Sequence, residues 1–363
     1  MKGSEKMNLL VIPTFNRSAK LERVLDWYSS QKLQSRIVVL DASSDAMHCE
    51  ANQKSVEKFG KLCVRMETPE QESIPQRLLA FLESIDDELV AVGNDEDAFI
   101  PEFIEKAFGF LRANPQYVVA AGRYVTLCRP LLGLRRISFW TDSFVGLDVD
   151  QPDPAVRVVT FQRMNSGGVP PLYWSVRRRT AFVESCRLAL RLHYGSGHEL
   201  VDQITSCALG KISIDASPML LRDETRKNYS AKSYANRDTG KLYMSMDDLD
   251  EMEKISLELW GQEMAVAVRA VTAWYRPKGS GESLQNRLGS RAYCRFHEMP
   301  EERGSRTLAV LRRIIRFSCT AGVLFSQVLA YLYFLKYMVQ NGRGAVFLRM
   351  TRTVPVNKVQ SRA

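Results

Sequence analysis

The sequence predicts an α/β protein with a mostly parallel sheet flanked by helices, and two observations carry that prediction. Through the first 125 residues, short apolar runs of strand length alternate with stretches whose apolar residues recur at helical spacing. Several runs end in polar residues, and the run over 89–92 leads within two residues into Asp95, Glu96 and Asp97. Alternation of this kind favours βαβ units with right-handed crossovers, which build a parallel sheet.

The first two strand–helix units are the most regular. Residues 8–12 form an apolar run with strand character, and a helix over 18–28 follows because its apolar residues recur at helical spacing. Residues 36–40 are apolar and mostly β-branched, end in Asp41, and precede a polar helical stretch over 46–59. These units predict two neighbouring strands that both point toward the same edge of the sheet.

The pattern continues with three further strands. Residues 62–66 read as a strand, and an amphipathic helix over 75–85 leads to the strand at 89–92. A helix over 104–111 and a buried strand over 117–121 complete the regular part. The stretch over 129–162 is predicted to be irregular.

Polar residues gather where the predicted strands end. Ligands of open parallel sheets bind beyond the carboxyl ends of the strands, and residues 13–17, Asp41 and residues 95–97 all fall there. Neither a G-x-G-x-x-G turn nor a G-x-x-x-x-G-K-[ST] loop follows the first strand, which disfavours dinucleotide oxidoreductases and P-loop NTPases. Bound phosphates would therefore be met by a metal ion and by side chains.

The acidic triplet predicts a site for a divalent cation. Residues two apart project to the same side of an extended chain, so Asp95 and Asp97 can converge while Glu96 points away. Mg²⁺ and Mn²⁺ favour carboxylate oxygens and complete their shells with substrate phosphates. The alternative interpretation is an acidic surface turn after a strand.

Composition and charge bound the cellular setting. The 363 residues include 45% hydrophobic and 25% charged residues, which is ordinary for a globular protein. The seven cysteines form no C-x-x-C pair, so we expect reduced thiols in the cytoplasm. The net charge of +9 is concentrated in the second half and could attract phosphates, nucleic acid or an anionic membrane. No RNA or DNA module is recognisable, so no nucleic-acid partner is predicted.

Three segments resemble glycosyltransferase family 2, in particular its bacterial members. They are residues 11–17 (VIPTFNR), 37–45 (IVVLDASSD) and 93–101 (GNDEDAFIP), which occur in the family's order and at the predicted strand ends. The resemblance covers the first 125 residues well and extends loosely to about residue 225. It implies a GT-A fold, with a Rossmann-like sheet, and a nucleotide-sugar donor.

The resemblance also implies a donor site. Pro13, Thr14 and Arg17 would line the nucleotide pocket, and Asp41 would accept a hydrogen bond from the base or ribose. For Arg17 and Asp41 the alternatives are a solvated first-turn residue and an acid of a strand-end turn.

The resemblance assigns the metal to two acids. Asp95 and Asp97 would hold the Mn²⁺ or Mg²⁺ that bridges the donor diphosphate, and Asp95 would also contact the donor. The family commonly has Asp at the middle of this triplet, where this chain has Glu96. That departure leaves the first and third acids intact and puts a ribose contact at Glu96 in doubt.

An inverting transferase needs a base that accepts the proton of the acceptor hydroxyl. Glu199 and Asp202 lie three apart in a predicted helix and can face the same side. Glu199 is the better match to the family's acidic motif and Asp202 the second candidate. Alternatively, Glu199 only stabilises the helix N-terminus.

Two further segments belong to this predicted acceptor half. Tyr173 and Trp174 could stack on a sugar face, or could be one core and one surface residue. A basic loop over 221–241 could close over the diphosphate, with Arg222 or Lys227 offsetting leaving-group charge. The other interpretation of that loop is an ordinary solvated segment.

Beyond residue 247 the sequence predicts a basic helical extension. Residues 317–335 lack charge but include several polar side chains, so a buried helix, a helix lying on a membrane and a spanning helix all stay open. Peripheral contact through 305–340 at the inner face of the membrane would suit a lipid-linked acceptor.

The whole chain is therefore divided into a nucleotide-sugar half (1–125), an acceptor and catalytic half (126–246) and the extension (247–363). We expect a metal-dependent, inverting transfer from a nucleotide-diphosphate sugar, with UDP as the default, to a glycan or lipid-linked hydroxyl in cell-surface polysaccharide synthesis. The alternative is a non-catalytic scaffold of the same fold in polysaccharide assembly. Nucleotide transfer to a sugar phosphate is disfavoured because residues 13–17 contain no glycine.

Overall fold

A single nine-stranded sheet organises the part of the chain that the computed structural model describes, which comprises residues 8–131, 134–140, 148–164, 172–192, 198–223 and 246–273. The strands are β1 Leu9–Thr14, β2 Arg36–Asp41, β3 Cys63–Glu67, β4 Leu89–Val92, β5 Ala98–Phe99, β6 Tyr117–Leu131, β7 Leu134–Trp140, β8 Val176–Arg178 and β9 Lys211–Asp223. Their order is β3-β2-β1-β4-β8-β6-β9-β5, and β7 pairs with β6.

Helices connect and cover these strands. They are α1 Ser18–Ser30, α2 Ala46–Phe59, α3 Ile74–Glu83, α4 Pro101–Ala113, α5 Pro154–Met164, α6 Arg179–Ala189, α7 His198–Leu209, α8 Met246–Trp260 and α9 Gln262–Thr272. The predicted strand–helix order through residue 121 is confirmed, with boundaries that shift by one to a few residues.

The two faces of the sheet carry separate apolar clusters. Successive residues of β1 point to opposite faces, so Leu10 packs on the side of α1 and α4 while Leu9 packs on the side of α3 and α6. A strand buried on both faces must be apolar throughout, which is why β1 reads as a continuous apolar run.

The sheet has a parallel part and a mixed part. Strands β3, β2, β1 and β4 are parallel to their neighbours, which is the arrangement that the βαβ pattern predicts. Strand β8 then runs antiparallel to both β4 and β6, β9 runs parallel to β6, and β5 runs antiparallel to β9. The predicted α/β class, with a sheet flanked by helices, is confirmed.

The prediction that residues 129–162 are irregular was wrong for the described part of that stretch, which contains paired strands and a helix. Strand β6 continues to Leu131 and forms an antiparallel hairpin with β7, whose register includes Tyr124 opposite Trp140. Helix α5 begins after Asp153, whose carboxylate accepts hydrogen bonds from the backbone of Ala155 at 2.7 Å and Val156 at 3.4 Å. An acid just before a proline is a helix-start signal that the sequence contained.

The described part of the extension packs on the main core. Leu249, Met252 and Ile255 of α8 and Met264 and Val268 of α9 are buried in the cluster that contains the sheet. Among the described helices, none combines the length and the apolarity that a bilayer crossing requires. The segments 305–340 and 317–335 lie outside the described residues.

Candidate active site

The three predicted binding segments meet at one edge of the sheet. Strand β1 extends to Thr14, so Pro13 and Thr14 are its buried last residues, and Thr14 lies in register with Asp41 at the end of β2. The backbone N–H of Gly93, just after β4, donates to the carbonyl of Val11 at 2.9 Å. The carboxyl ends of β1, β2 and β4 are thereby aligned side by side.

The turn after β1 is fixed by Asn16. Its φ of 50° lies in the left-handed region, which asparagine tolerates better than most residues. The Asn16 side-chain oxygen accepts hydrogen bonds from the backbone of Ser44 and Asp45, both at 3.2 Å. This contact joins the β1 turn to the β2 turn and sets the position from which Arg17 projects.

Asp41 is held at the end of β2 by three hydrogen bonds. One carboxylate oxygen accepts from the Ser43 backbone at 2.9 Å, and the other accepts from Asn52 at 2.9 Å and Arg65 Nε at 2.7 Å. Burial by itself would raise the pKa of Asp41, but these hydrogen bonds together outweigh it and hold the pKa below its ordinary value. Asp41 is therefore ionised and rigidly placed at the strand end.

Asp95 is a buried acid with weaker compensation. Thr14 Oγ1 donates to its Oδ2 at 2.8 Å, and Arg17 Nη1 lies 3.3 Å from its Oδ1. Burial raises the pKa of Asp95 above its ordinary value, although Arg17 and the Thr14 hydroxyl oppose the shift. The ionised form of Asp95 is thus only partly stabilised by the protein itself.

Glu96 contacts residues on the surface of helix α1. Its carboxylate forms an ion pair with Lys20 and lies 3.7 Å from Arg17 Nη1, while Arg23 Nη2 donates to its carbonyl at 3.2 Å. Arg17 therefore lies between Glu96 and Asp95 and contacts both. The sequence predicted that Glu96 would point away from Asp95, and the shared arginine is the part of the arrangement that this expectation missed.

Asn94 shapes the loop that carries the acids. Its side-chain oxygen accepts from the backbone of Glu96 at 2.9 Å and of Asp97 at 2.6 Å, and its amide donates to Asp97 Oδ2 at 2.9 Å. Asparagine commonly closes turns in this way. The turn buries Asp97 at the beginning of β5.

The far end of the loop is held by α1 and β9. The Trp27 indole donates to the Phe99 carbonyl at 2.9 Å, and the Phe99 N–H donates to the Tyr28 hydroxyl at 3.0 Å. Strand β5 also pairs antiparallel with β9, with Ala98 opposite Leu221. Both ends of the acidic loop are thus anchored to regular structure.

The donor set suits a hard divalent cation. Asp95 and Asp97 are two buried carboxylates on one short loop, and Mg²⁺ typically takes one or two protein carboxylates together with substrate phosphates. Among the described residues, no group of three or more His, Cys, Asp or Glu side chains forms a complete protein cage. The chemistry fits a cation that is shared with a bound diphosphate.

The acidic loop and the predicted acceptor half converge at Tyr124. Because Ala98 pairs with Leu221 in an antiparallel register, Asp97 and Arg222 fall next to each other along neighbouring strands. Burial raises the pKa of Tyr124 well above its ordinary value; Arg222 opposes this shift, and the negative charges of Asp97 and Glu199 add to it. The structure thus brings Asp97, Arg222 and Glu199 into one electrostatic neighbourhood, and Tyr124 was not predicted.

Glu199 and Asp202 lie on α7 but in different environments. Glu199 is partly buried, and burial raises its pKa, while His198 and Arg222 oppose the shift and Asp202 adds to it. Asp202 is fully buried and forms a two-point ion pair with Arg177, whose Nη2 lies 2.9 Å from Asp202 Oδ2. Arg177 also donates to the carbonyl of Leu172 at 2.6 Å.

Tyr173 and Trp174 also differ in environment. Tyr173 is 2% exposed and meets Trp174 and Phe182 in edge-to-face contacts with ring centroids 4.9 and 5.3 Å apart. Trp174 is partly buried. The pair lies beside α7, since the Tyr173 ring is also 4.6 Å from the His198 ring. Lys227, the second predicted loop cation, lies outside the described residues.

Arg77 is a site residue that the sequence interpretation missed. It is buried at the start of α3, and its Nη1 donates to the Thr14 carbonyl at 3.1 Å. Burial lowers its pKa, while the charges of Glu72, Asp41 and Asp95 oppose the shift. The signal was present, because Arg77 occupies the apolar face of an amphipathic helix next to Leu78.

Several solved structures are similar to this chain. TarS 1–349 from S. aureus in complex with UDP-GlcNAc is 15% identical, over 79% of this chain and 74% of that chain, with a TM-score of 0.45. A longer TarS structure is 13% identical over 78% of this chain, which spans 43% of that chain, with a TM-score of 0.44. Glucosyl-3-phosphoglycerate synthase from Mycobacterium tuberculosis, in complex with Mn²⁺, UDP and glucosyl-3-phosphoglycerate, is 14% identical over 76% of this chain and 82% of that chain, with a TM-score of 0.38.

At the level of sequence, no protein of curated function matches the chain. The model of the family described as glycosyl transferase family 2 matches residues 9–194, which is more than half of the 363 residues. That match includes the ends of β1, β2 and β4 and the acidic loop. The chain therefore belongs to glycosyl transferase family 2.

Proposed function

We propose that this chain is a metal-dependent glycosyltransferase that moves a sugar from UDP-sugar to a hydroxyl group with inversion at the transferred carbon. The acceptor is a glycan or a lipid-linked glycan of cell-surface polysaccharide synthesis. The reaction takes place in the cytoplasm, and segment 305–340 provides peripheral contact with the inner face of the membrane. Family membership and the aligned strand ends support the transferase assignment.

The observation that carries this proposal is the convergence of donor and acceptor charges. Asp97 falls beside Arg222 because β5 pairs with β9, and Tyr124 of β6 lies in register with Leu220 of the same strand β9. The charges of Asp97, Arg222 and Glu199 also contribute to the raised pKa of Tyr124. A transferase needs a site for the leaving diphosphate next to a base for the incoming hydroxyl. A non-catalytic scaffold has little need for Asp41, Asp95, Asp97 and Glu199 together.

Different residues of the proposed donor site would bind different parts of the nucleotide. Asp41, held ionised by Arg65 and Asn52, is suited to accept a hydrogen bond from the uracil ring or the ribose. Pro13 and Thr14 form the floor at the end of β1. Asp95 and Asp97 would hold a divalent cation, whose positive charge would offset the charge of the leaving diphosphate.

Two arginine side chains, one on either side of the acidic loop, are assigned to the donor diphosphate. Arg17 lies at the N-terminus of α1 and Arg222 lies on β9. Both guanidinium groups can donate paired hydrogen bonds to phosphate oxygens. They hold the donor so that its anomeric carbon faces Glu199.

Glu199 is the proposed base. Asp202 already shares its charge with Arg177 in a fully buried pair, whereas burial raises the pKa of Glu199 and makes it a better proton acceptor. The Glu199 carboxylate takes the proton of the acceptor hydroxyl as the oxygen bonds to the anomeric carbon. The bond from that carbon to the diphosphate oxygen breaks, and its electron pair leaves with the nucleoside diphosphate.

Calorimetry with a panel of nucleoside diphosphates, with and without Mn²⁺, tests the donor half of this proposal. We expect Mn²⁺-dependent binding of UDP that Asp97→Asn abolishes. Asp87→Asn is the matched control, because Asp87 forms a partly buried ion pair with Arg36 away from the loop. Folded wild-type protein that binds no nucleoside diphosphate would overturn the proposal.

A further inference from the structure

Arg17 occupies an unusual position between two acids. One of its nitrogens, Nη1, lies 3.3 Å from Asp95 Oδ1 and 3.7 Å from Glu96 Oε2. The Asp95 side chain is 5% exposed, whereas the Arg17 side chain is 31% exposed. The arginine therefore reaches from the solvent to a buried carboxylate through a single contact.

The contact between Arg17 and Asp95 is a single hydrogen bond, which uses only part of the hydrogen-bonding capacity of the guanidinium group. Arginine pairs most strongly with carboxylates through two parallel hydrogen bonds, as Arg177 does with Asp202. At Asp95 the second carboxylate oxygen accepts from Thr14 instead. An exposed arginine held by one bond can leave without opening a cavity in the core.

Glu96 provides the place to which Arg17 can move. Its carboxylate already pairs with Lys20 and is within ion-pair distance of Arg17. Lys20 and Arg23 also tie Glu96 to α1, so the second acid stays beside Arg17 when the first is engaged elsewhere. The longer glutamate side chain reaches α1, which an aspartate at this position does less easily.

We infer that Arg17 neutralises Asp95 in place of the divalent cation and is displaced onto Glu96 and the donor diphosphate when the cation binds. This inference rests on the proposed function, since it assumes that the cation and the diphosphate share this loop. Its consequence is that the metal alone binds weakly, because it competes with Arg17. The metal and the nucleotide bind together more strongly, because the diphosphate gives Arg17 a new partner.

Mn²⁺ titrations of the full chain without nucleotide test the competition. We expect Arg17→Gln to bind Mn²⁺ about tenfold more tightly than wild type, a change of about 1.4 kcal/mol in binding free energy. Arg36→Gln removes the same charge from a partly buried ion pair with Asp87, away from the acidic loop, and should leave Mn²⁺ affinity unchanged. A thermal melt of each metal-free variant confirms that it is folded.

A second control distinguishes displacement of Arg17 from a general change in the electrostatic field at the acidic loop. Lys20→Gln also removes one positive charge from the cluster, but Lys20 contacts Glu96 and leaves the Arg17–Asp95 pair intact. We expect a smaller gain in Mn²⁺ affinity than for Arg17→Gln. An equal or larger gain in Lys20→Gln, or no gain in Arg17→Gln, would overturn the inference.

Titrations with UDP present distinguish this inference from the proposed function. In wild type, saturating UDP should increase Mn²⁺ affinity by a larger factor than in Arg17→Gln, because only wild type has an arginine to transfer. Equal factors in both proteins would contradict the inference and leave the proposed function standing. A wild-type protein and an Arg17→Gln variant that both fail to bind Mn²⁺ with UDP would refute the proposed function.

Discussion

Asp202 on helix α7 and Asp95 on the loop after β4 both face an arginine, yet the two pairs have different properties. Asp202 and Arg177 are 0% and 1% exposed and meet at two points, with Arg177 further bonded to backbone. Asp95 makes a single contact with Arg17, whose side chain is 31% exposed. Burial keeps the pKa of Asp95 raised. The first pair is complete within the protein, whereas the second leaves an acid that a ligand can stabilise further.

The same contrast separates Asp41 from Glu199. Hydrogen bonds more than offset the burial of Asp41 and lower its pKa, while Glu199 keeps a pKa raised by burial. Acids whose charge is satisfied by the fold serve as fixed points of recognition. Acids whose charge is not satisfied are the ones suited to bind cations or to accept protons.

The largest expected effect lies at Glu199. Glu199→Gln keeps the size of the side chain and removes the proton acceptor, so we expect the turnover number to fall by about 10²–10⁴. Steady-state assays with saturating donor measure this loss, and a denaturant melt should find stability unchanged or slightly higher. A variant that retains full turnover would remove Glu199 from the proposed mechanism.

Arg177→Met tests the satisfied pair. It leaves the Asp202 charge buried without its partner, and breaking a buried pair in this way typically costs about 3–5 kcal/mol of unfolding free energy. Asp95→Asn is the comparison variant, for which we expect a loss of at most about 1 kcal/mol because its partner is partly solvated. Equal losses in urea denaturation would contradict the distinction between the two pairs.

Asp41→Asn should have an intermediate effect on stability. The variant loses charge-assisted hydrogen bonds with Arg65 and Asn52, which corresponds to about 1–3 kcal/mol. The folded pKa of Asp41 lies below its unfolded value, so its contribution is present at neutral pH and is lost as pH falls through the folded pKa. The difference in melting temperature between wild type and Asp41→Asn should therefore shrink on acidification.

Glu67→Gln is the matched control for Asp41→Asn. Glu67 also pairs with Arg65, at 2.7 Å, but its side chain is 78% exposed. We expect a change in stability within about 0.5 kcal/mol. A loss as large as that of Asp41→Asn would mean that Arg65, and not Asp41, sets the stability of this strand end.

The smallest expected effect is the pH dependence that Glu199 introduces. Its folded pKa is raised, so kcat/KM should rise with pH above the range in which an ordinary glutamate ionises. Stability should fall over the same interval, because the folded protein holds a proton that the unfolded chain has released. The melting temperature of Glu199→Gln should therefore vary less with pH across that interval than the melting temperature of wild type. An equal dependence on pH in the two proteins would count against the raised pKa of Glu199.

The sequence predicted the fold of the first 125 residues well because the signals there are local. Apolar runs that end in polar residues identify β1, β2 and β4, and parallel strands bring their ends to one edge. The acids at 41, 95 and 97 therefore could be grouped before any coordinates were known. Their partners could not, because the bonds to Arg65 and Arg17 depend on side-chain reach across different elements.

The structure after residue 125 was harder to predict because it depends on distant pairings. The charge of Asp202 is balanced by Arg177, twenty-five positions earlier, and no periodicity indicates such a pair. Asp97 comes to lie beside Arg222 only because a two-residue strand pairs with β9. The hairpin of β6 and β7 was missed because the paired arginines at 135 and 136, together with a proline-rich turn in the same stretch, suggested an irregular segment.

Trp27 gives this protein a built-in optical probe of its acidic loop. Its indole N–H bonds to the carbonyl of Phe99, two residues beyond Asp97, and its ring is almost fully buried. Indole fluorescence responds to the polarity and hydrogen bonding around the ring. A rearrangement of the loop therefore changes the wavelength and intensity of the Trp27 emission. With the chain's other four tryptophans replaced by phenylalanine, ligand arrival could be timed in a stopped-flow instrument without any attached dye.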